Sequence, residues 1–309
     1  MHTKGKSQRT RLVFIALIAW SCGEADLTRF EYRELHMGTE ARIVLFAPDT
    51  ATAEFAARTA FARIAQLDSL LSDYRIDSEV SRIAAAAGGP PQPASDDLLH
   101  VLALALRLAA ETDGAFDPTL GPVTEMWRAA RRTGQPPDSA ALAEARSRTG
   151  WRGVEVDTVA RTVRLALPGM RLDLGAIAKG YAVDEALAVL RAREVSRALI
   201  SFGGEIGAGN PPPGGTGWEI AVGDSTIRLV NAAVSSSGDA EQFVVLDGRR
   251  YSHVVDPSSG LGLTDGAGAT VIAPSAMLAD ALATAMTLAD PAMRARLAGA
   301  YTSVRVLAR

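Results

Sequence analysis

The sequence predicts an α+β fold, in which helices and antiparallel strands are mixed along a chain of 309 residues. Helix-period apolar segments and short alternating segments both occur, but they do not follow one another in the steady strand–helix order of a parallel sheet. Apolar residues make up 48% of the chain and the formal net charge is −3. The chain can therefore bury a large core, and its charge does not indicate a nucleic-acid partner.

The elements are predicted from periodicity, capping side chains and Gly/Pro breakers. Helices are expected over 51–71, over 95–112, from about 138 onward, after Gly175, and over 275–289 with Ser275 as N-cap. Strands are expected as a pair over 31–48, a hairpin over 154–166, a short strand before Gly175, and further strands within 197–210, 217–224, 226–238, 242–257 and 268–274.

The first 21 residues have the pattern of an export signal. A basic leader without acidic residues precedes the apolar run "LVFIALIAW", which is too short to cross a bilayer as a helix. Cys22, the only cysteine of the chain, follows directly and resembles the lipidated residue of a bacterial lipoprotein. We predict a signal peptide over 1–21, lipidation of Cys22 and a lipid-anchored location on the periplasmic side of a membrane. The alternative is an ordinary signal or tether with an incidental cysteine.

The stretch "MLADALATAM" places a carboxylate and a hydroxyl on one helix face. Asp280 and Thr284 are four residues apart, so their side chains lie about one turn from each other. Oxygen ligands of this kind suit Mg²⁺ or Ca²⁺. Alternatively, Thr284 bonds back to its own helix and Asp280 is solvated.

The stretch "LDLGAIAKGYAVDEA" (172–186) is a candidate phosphate-binding turn. Gly175 and Gly180 lie where a helix is predicted to begin, and backbone N–H groups at such a position can face a phosphate. Lys179 adds a positive charge. The residues after Gly180 exclude a P-loop, and the alternative is a tight turn with a surface lysine.

Two further loops carry candidate residues. "GAFDPTLGP" places Phe116 and Asp117 in a rigid Gly/Pro-rich loop, a setting that often lines a ligand site. "YSHVVDPSSG" places His253 between a strand and a turn, where it is either a proton acceptor or a structural histidine.

Eight segments in this order resemble the motifs of the ApbE family of FAD:protein FMN transferases, over about residues 33–290. They are Met37-Gly38-Thr39, 70–83, 113–127, 172–184, 200–210, 235–239, 251–260 and 279–285. The resemblance implies an ApbE-like fold related to the T-fold, with residues 22–309 forming one catalytic unit of two subdomains. It also implies Mg²⁺-dependent transfer of the FMN half of FAD to a Thr or Ser hydroxyl of an acceptor protein, with release of AMP.

The resemblance further assigns roles to individual residues. It implies that Mg²⁺ is held by the side chains of Asp280 and Thr284 and by the backbone carbonyls of Ala176 and Ala283. It implies that His253 assists removal of the hydroxyl proton. The implied flavin-nucleotide contacts are Met37, Tyr74, Ala115, Phe116, Asp117, Asp173, Lys179 and Val254, of which Tyr74 and Phe116 have rings suited to stacking.

The chain departs from the family pattern at a few positions. Ala84 stands where Asn is usual, Glu205 where Asp or Asn is usual, and Ser236 where Thr is usual. Two alternative functions stay open: an FAD pyrophosphatase that releases FMN and AMP, and a non-catalytic FAD-binding lipoprotein. The acceptor implied by the family is an exported or membrane-bound subunit of a redox complex.

Overall fold

The computed structural model of the protein describes residues 26–238 and 243–307. The predicted signal peptide and the predicted lipidation of Cys22 lie outside these residues. Within them, no helix has both the length and the apolar character needed to cross a membrane.

A seven-stranded antiparallel sheet forms the centre of the fold, in the order β1-β2-β6-β7-β10-β13-β14. Three small sheets accompany it, in the orders β3-β5-β4, β8-β9 and β11-β12. The strands are β1 Thr28–His36, β2 Thr39–Ala47, β3 Gln92–Pro93, β4 Val154–Asp157, β5 Thr162–Leu165, β6 Ala198–Phe202, β7 Glu205–Ala208, β8 Trp218–Val222, β9 Ser225–Leu229, β10 Ala232–Gly238, β11 Phe243–Leu246, β12 Arg249–Ser252, β13 Gly268–Ala273 and β14 Arg305–Leu307.

Eight α-helices lie in the described part of the chain. They are α1 Thr50–Leu71, α2 Glu79–Ala85, α3 Asp96–Glu111, α4 Gly121–Thr133, α5 Ser139–Ser147, α6 Ala178–Ala192, α7 Ala276–Leu288 and α8 Pro291–Ala300. Helix α6 packs against both α1 and α7, and all three helices pack against the large sheet. Mixed helices and antiparallel sheets confirm the predicted α+β class.

The large sheet is buried on both faces because its strands alternate between two cores. In β2, Ile43 and Leu45 are fully buried in the main core, which they share with α1, α6 and α7. The intervening Val44 points to the opposite face and packs in a cluster with Trp218 of the β8–β9 hairpin. A third cluster joins α4 and α5 to β11 around Trp127.

Most predicted elements are confirmed, but the segment before Gly175 is not a strand. Residues 172–174 are irregular, and only the neighbouring Arg171 forms an isolated bridge, with Leu120. The physical reason is that Asp173 is held as a turn: its N–H donates to the Pro118 carbonyl at 2.8 Å, and its Oδ1 accepts the N–H of Gly175 at 2.9 Å. Helices α2, α4 and α8 were also not predicted.

Candidate active site between helices α6 and α7

The contact between α6 and α7 depends on Gly180. A Cβ atom at this position would lie 2.3 Å from the Ala276 carbonyl oxygen and 2.8 Å from Cβ of Asp280. Asp184, one turn further along α6, accepts the N–H groups of Ala276 and Met277 at 2.7 and 2.9 Å. The glycine therefore permits the close approach of the two helices, and the Asp184 carboxylate caps the first turn of α7.

Asp280 is buried at this contact. Its side chain is 4% exposed, and Oδ2 accepts the backbone N–H of Gly180 at 3.0 Å and lies 3.9 Å from Nζ of Lys179. Burial raises the pKa of Asp280 more than the lysine and the N–H group lower it. Thr284 donates from Oγ1 to Oγ of Ser237 at 3.3 Å. The alternative of a solvated Asp280 and a Thr284 bonded to its own helix is therefore wrong.

Lys179 joins the start of α6 to a second buried carboxylate. Its Nζ donates to the Gly175 carbonyl at 2.8 Å and lies 3.4 Å from Oε1 of Glu205 on β7. Burial lowers the pKa of Lys179, but Asp280 and Glu205 outweigh this and raise it above its usual value. Only 24% of the lysine side chain is exposed, so the alternative of a surface lysine is also wrong.

Glu205 is the least expected member of this group. It is 4% exposed, and burial together with the neighbouring carboxylate of Asp280 raises its pKa to about 8. Its Oε2 is buried without a hydrogen-bond partner among the described residues. With its pKa at about 8, the Glu205 carboxyl group holds a proton at neutral pH and shares it with Asp280, and a cation bound beside the two groups would favour loss of that proton.

The residues present fit a hard cation such as Mg²⁺. The described residues contain no group of three or more His, Cys, Asp or Glu side chains arranged to hold a metal. The predicted ligand set is of another kind, because it combines Asp280 and Thr284 with backbone carbonyls. The Ala283 carbonyl already accepts the hydroxyl of Thr287 at 2.8 Å. In a regular helix the N–H of Gly180 would donate to the Ala176 carbonyl. Here that N–H donates to Asp280 instead, so the Ala176 carbonyl does not accept this hydrogen bond. The four metal ligands stay predictions.

A second polar cluster brings together two predicted flavin contacts, Tyr74 and Asp173. Arg128 of α4 donates to Oδ2 of Asp73 at 2.5 Å and to Oδ2 of Asp173 at 3.1 Å, and its guanidinium lies 3.9 Å from the centre of the Tyr74 ring. Burial and the neighbouring Asp173 raise the pKa of Asp73 to about 6. Sequence reasoning missed Arg128 and Asp73, although both lie within or beside the motifs that it singled out.

The loop before α4 needs one correction. Phe116 is 3% exposed and belongs to the main core, so in this structure its ring presents no open face for stacking on a nucleotide. The backbone N–H groups of Phe116 and of the half-buried Ala115 both donate to Thr112, each at 3.0 Å, and the contacts of these two residues with the flavin nucleotide stay predictions. The Asp117 carboxylate accepts the N–H and hydroxyl of Thr119 at 2.8 and 2.6 Å and the N–H of Trp151 at 3.2 Å. In this structure it holds the loop in shape.

The remaining predicted site residues lie on other elements. Met37 occupies the turn between β1 and β2 with a positive φ of 45° and is half-buried against the main core. Val254 is buried, and its backbone N–H already donates to Oγ of Ser252 at 3.0 Å. His253 beside it is half-buried. The roles of Met37, Val254 and His253 stay predictions.

Taken together, the fold and the site define a class: α+β proteins in which two buried carboxylates and a lysine meet at a close helix contact above an antiparallel sheet. Comparison with known proteins identifies a single family within this class. The model of the ApbE family matches residues 37–307. The chain belongs to the ApbE family.

Relatives and solved structures agree with this assignment. An FAD:protein FMN transferase of Treponema pallidum is 33% identical and covers 89% of this chain and 83% of that protein. One of Klebsiella pneumoniae is 31% identical, over 82% of this chain and 77% of that protein. The apo crystal structure of the Pseudomonas stutzeri flavinyl transferase ApbE is 30% identical, with a TM-score of 0.79 over 92% of both chains. The Thermotoga maritima ApbE protein has a TM-score of 0.81 at 30% identity, over 91% of this chain and 94% of that chain.

Proposed function

We propose that this protein is an FAD:protein FMN transferase that uses Mg²⁺ and releases AMP. The names of its relatives and its membership of the ApbE family support the flavin-transfer activity. The observation that carries the proposal is the buried Asp280 at the α6–α7 contact, held by the Gly180 N–H and facing Lys179 and Glu205. A storage protein has no need of two buried carboxylates around a lysine.

The chemistry starts from the charge of the substrate. The pyrophosphate of FAD is anionic and repels a nucleophile, and Mg²⁺ when bound supplies charge neutralisation of its oxygens. Asp280 and Thr284, with the carbonyls of Ala176 and Ala283, would hold the ion. Lys179 adds a fixed positive charge at the start of α6.

The transfer itself is a substitution at phosphorus. The hydroxyl oxygen of an acceptor Thr or Ser forms a bond to the FMN phosphorus, and the bond from that phosphorus to the bridging oxygen breaks, so that AMP leaves with the electron pair. The hydroxyl proton passes to a base, for which we propose His253. If water takes the place of the hydroxyl, the same residues give an FAD pyrophosphatase.

We propose that the mature protein is exported and lipid-anchored through Cys22 on the periplasmic side of a bacterial membrane. The leader sequence supports this, together with the preference of the family for exported acceptors in redox complexes. Cys22→Ala should abolish the incorporation of a labelled fatty acid into the protein. Incorporation into that variant at the level of the unaltered protein would contradict lipidation of Cys22.

The activity is tested by incubating the purified protein with FAD, MgCl₂ and a candidate acceptor domain, followed by a denaturing gel. We expect flavin fluorescence on the acceptor band, its loss with EDTA, and its loss in Asp280→Asn. Asp138→Asn, which alters an exposed helix cap, is the matched control and should keep the signal. Release of FMN and AMP without a labelled band would favour the hydrolase, and intact bound FAD would favour a storage protein.

A further inference from the structure

A half-buried arginine outside the metal site links three separate segments. Arg128 lies on α4 with 15% of its side chain exposed, and its two terminal nitrogens contact Asp73, after α1, and Asp173, before α6. The central carbon of its guanidinium lies over the ring of Tyr74. Nothing in the transfer chemistry described above uses Arg128.

We infer that Arg128 is a positioning residue that holds the Tyr74 ring and the Asp173 carboxylate in place for the flavin nucleotide. This inference rests on the proposed function, because that function makes FAD the ligand of Tyr74 and Asp173. Arg128 itself need not touch the flavin.

Tyr74 is exposed to solvent but has one face of its ring covered. The side chain is 68% exposed, although one face of its ring is covered by the guanidinium. An exposed tyrosine normally moves among several rotamers, and a ligand that stacks on it must restrict this motion. A cation beneath the ring restricts it in advance and leaves the other face open to a planar ligand.

Arg128 is itself held in place by two carboxylates. Its guanidinium forms a fork between the carboxylates of Asp73 and Asp173, the geometry for which arginine is better suited than lysine. Without this cation the two half-buried carboxylates would repel each other. The cluster therefore has a defined geometry, which a positioning role requires.

A chain of hydrogen bonds connects Arg128 to the α6–α7 site. Oδ2 of Asp173 is held by Arg128, while its Oδ1 accepts the Gly175 N–H at 2.9 Å. The carbonyl of Gly175 in turn accepts Nζ of Lys179 at 2.8 Å. A change at Arg128 therefore reaches both the stacking ring and the turn that carries Lys179.

The test is FAD binding by the full chain, measured as the change in flavin absorbance and fluorescence during titration in the absence of an acceptor. We expect Arg128→Met to weaken FAD binding by about tenfold or more and to reduce the spectral change. In turnover, it should raise KM for FAD more than it lowers kcat. Arg128→Lys should bind FAD better than Arg128→Met but less well than the unaltered protein, because an ammonium cannot contact both carboxylates as the guanidinium does.

Two variants of Tyr74 keep the test valid even if Arg128→Met folds poorly. Tyr74 is exposed, so Tyr74→Leu should fold and should weaken FAD binding by a similar factor, while Tyr74→Phe should bind nearly as well as the unaltered protein. Combined with Arg128→Lys, Tyr74→Leu should lose less FAD affinity than the two single changes added together, because both changes weaken the same contact. The matched control is Arg193→Met, which removes a guanidinium 4.8 Å from the Phe55 ring and should leave FAD binding unchanged.

The outcomes separate the two proposals. FAD affinity and spectrum within twofold of the unaltered protein in Arg128→Met or Tyr74→Leu would overturn the positioning role while leaving the transferase function intact. If Arg128→Met and Tyr74→Leu weaken FAD binding as expected but the unaltered protein transfers no FMN to acceptors, the transferase function is contradicted and the positioning role stands. A fall in thermal stability of Arg128→Met with unchanged FAD binding would show that Arg128 is only structural.

Discussion

Replacement of Gly180 by alanine should disrupt the α6–α7 contact that builds the site. The added Cβ would lie 2.3 Å from the carbonyl oxygen and 2.6 Å from the carbonyl carbon of Ala276. Real Cβ contacts stay beyond 3.0 Å, so the helices must separate by at least 0.7 Å (3.0 minus 2.3). The clashing atoms are backbone atoms of α7, which cannot rotate away as the end of a long side chain can.

The size of the effect follows from two opposing terms. Alanine in a helix interior is favoured over glycine by about 1 kcal/mol. Overpacking a tight contact costs about 1–3 kcal/mol, and a contact with backbone belongs at the upper end of this range. We therefore expect a net loss of about 2 kcal/mol in the free energy of unfolding and a fall in Tm of about 4 °C.

The activity should fall more than the stability. Asp280 and Thr284 lie on α7, whereas Ala176 and Lys179 belong to α6 and the turn before it, so separation of the helices moves one half of the site from the other. Misplacement of reacting groups by about 1 Å can cost about a hundredfold in rate. We expect FMN transfer by Gly180→Ala to be slower by about ten- to a hundredfold under conditions where the variant is folded.

The assay compares Gly180→Ala with Gly299→Ala by thermal melting and by the initial rate of FMN transfer. Gly299 lies on α8, and a Cβ there would meet no atom within 4 Å. Because Gly299 is the next-to-last residue of α8, the control should gain less than about 1 kcal/mol in stability at unchanged rate. Equal stability and equal transfer rates in Gly180→Ala and the unaltered protein would refute the close-contact explanation of this site.

Three further predictions follow from the same contacts. Asp184→Ala should lower the free energy of unfolding by about 2 kcal/mol, because two N–H groups at the start of α7 lose a charged acceptor; Asp184→Asn should recover part of this loss in denaturant titrations. The pKa of Asp73, facing Arg128 and Asp173, is raised to about 6, so its contribution to stability is present at low pH and is lost as the pH rises through about 6. Asp73→Asn should remove this decline, and an unchanged slope of stability against pH would contradict the shifted pKa. Trp127→Phe should cost about 2 kcal/mol, because the indole N–H donates to a loop carbonyl at 2.7 Å and the ring fills the third cluster; a Tm within 1 °C (roughly 0.5 kcal/mol) of the unaltered protein would be inconsistent with this role.

Local patterns predicted much of the fold. The pair β1–β2 and the helix α7 with its Ser275 cap lie close to the predicted bounds, because alternation, helical periodicity and capping act over a few residues. The irregular segment before α6 was misread as a strand because its apolar residues alternate. Its conformation is set instead by the contact of Asp173 with Pro118, 55 residues away in the chain (173 minus 118).

The site was predictable only in part, because contacts between residues far apart in the chain build much of it. Asp280 and Thr284 share one helix, so their spacing was visible in the sequence. The partner of Asp280 is Gly180, which is brought to it only by the packing of α6 on α7. Arg128 gave no signal in the sequence, because its carboxylate partners lie 55 and 45 residues away.

The most direct test of the account is the intact mass of an acceptor domain after incubation with FAD, with and without MgCl₂, using the unaltered protein and Asp280→Asn. We predict that the acceptor gains the mass of FMN less one water only with the unaltered protein and Mg²⁺, and that AMP is released in equal amount. The same mass gain at a similar rate with Asp280→Asn, or with EDTA in place of Mg²⁺, would contradict the assignment of transfer to the α6–α7 site.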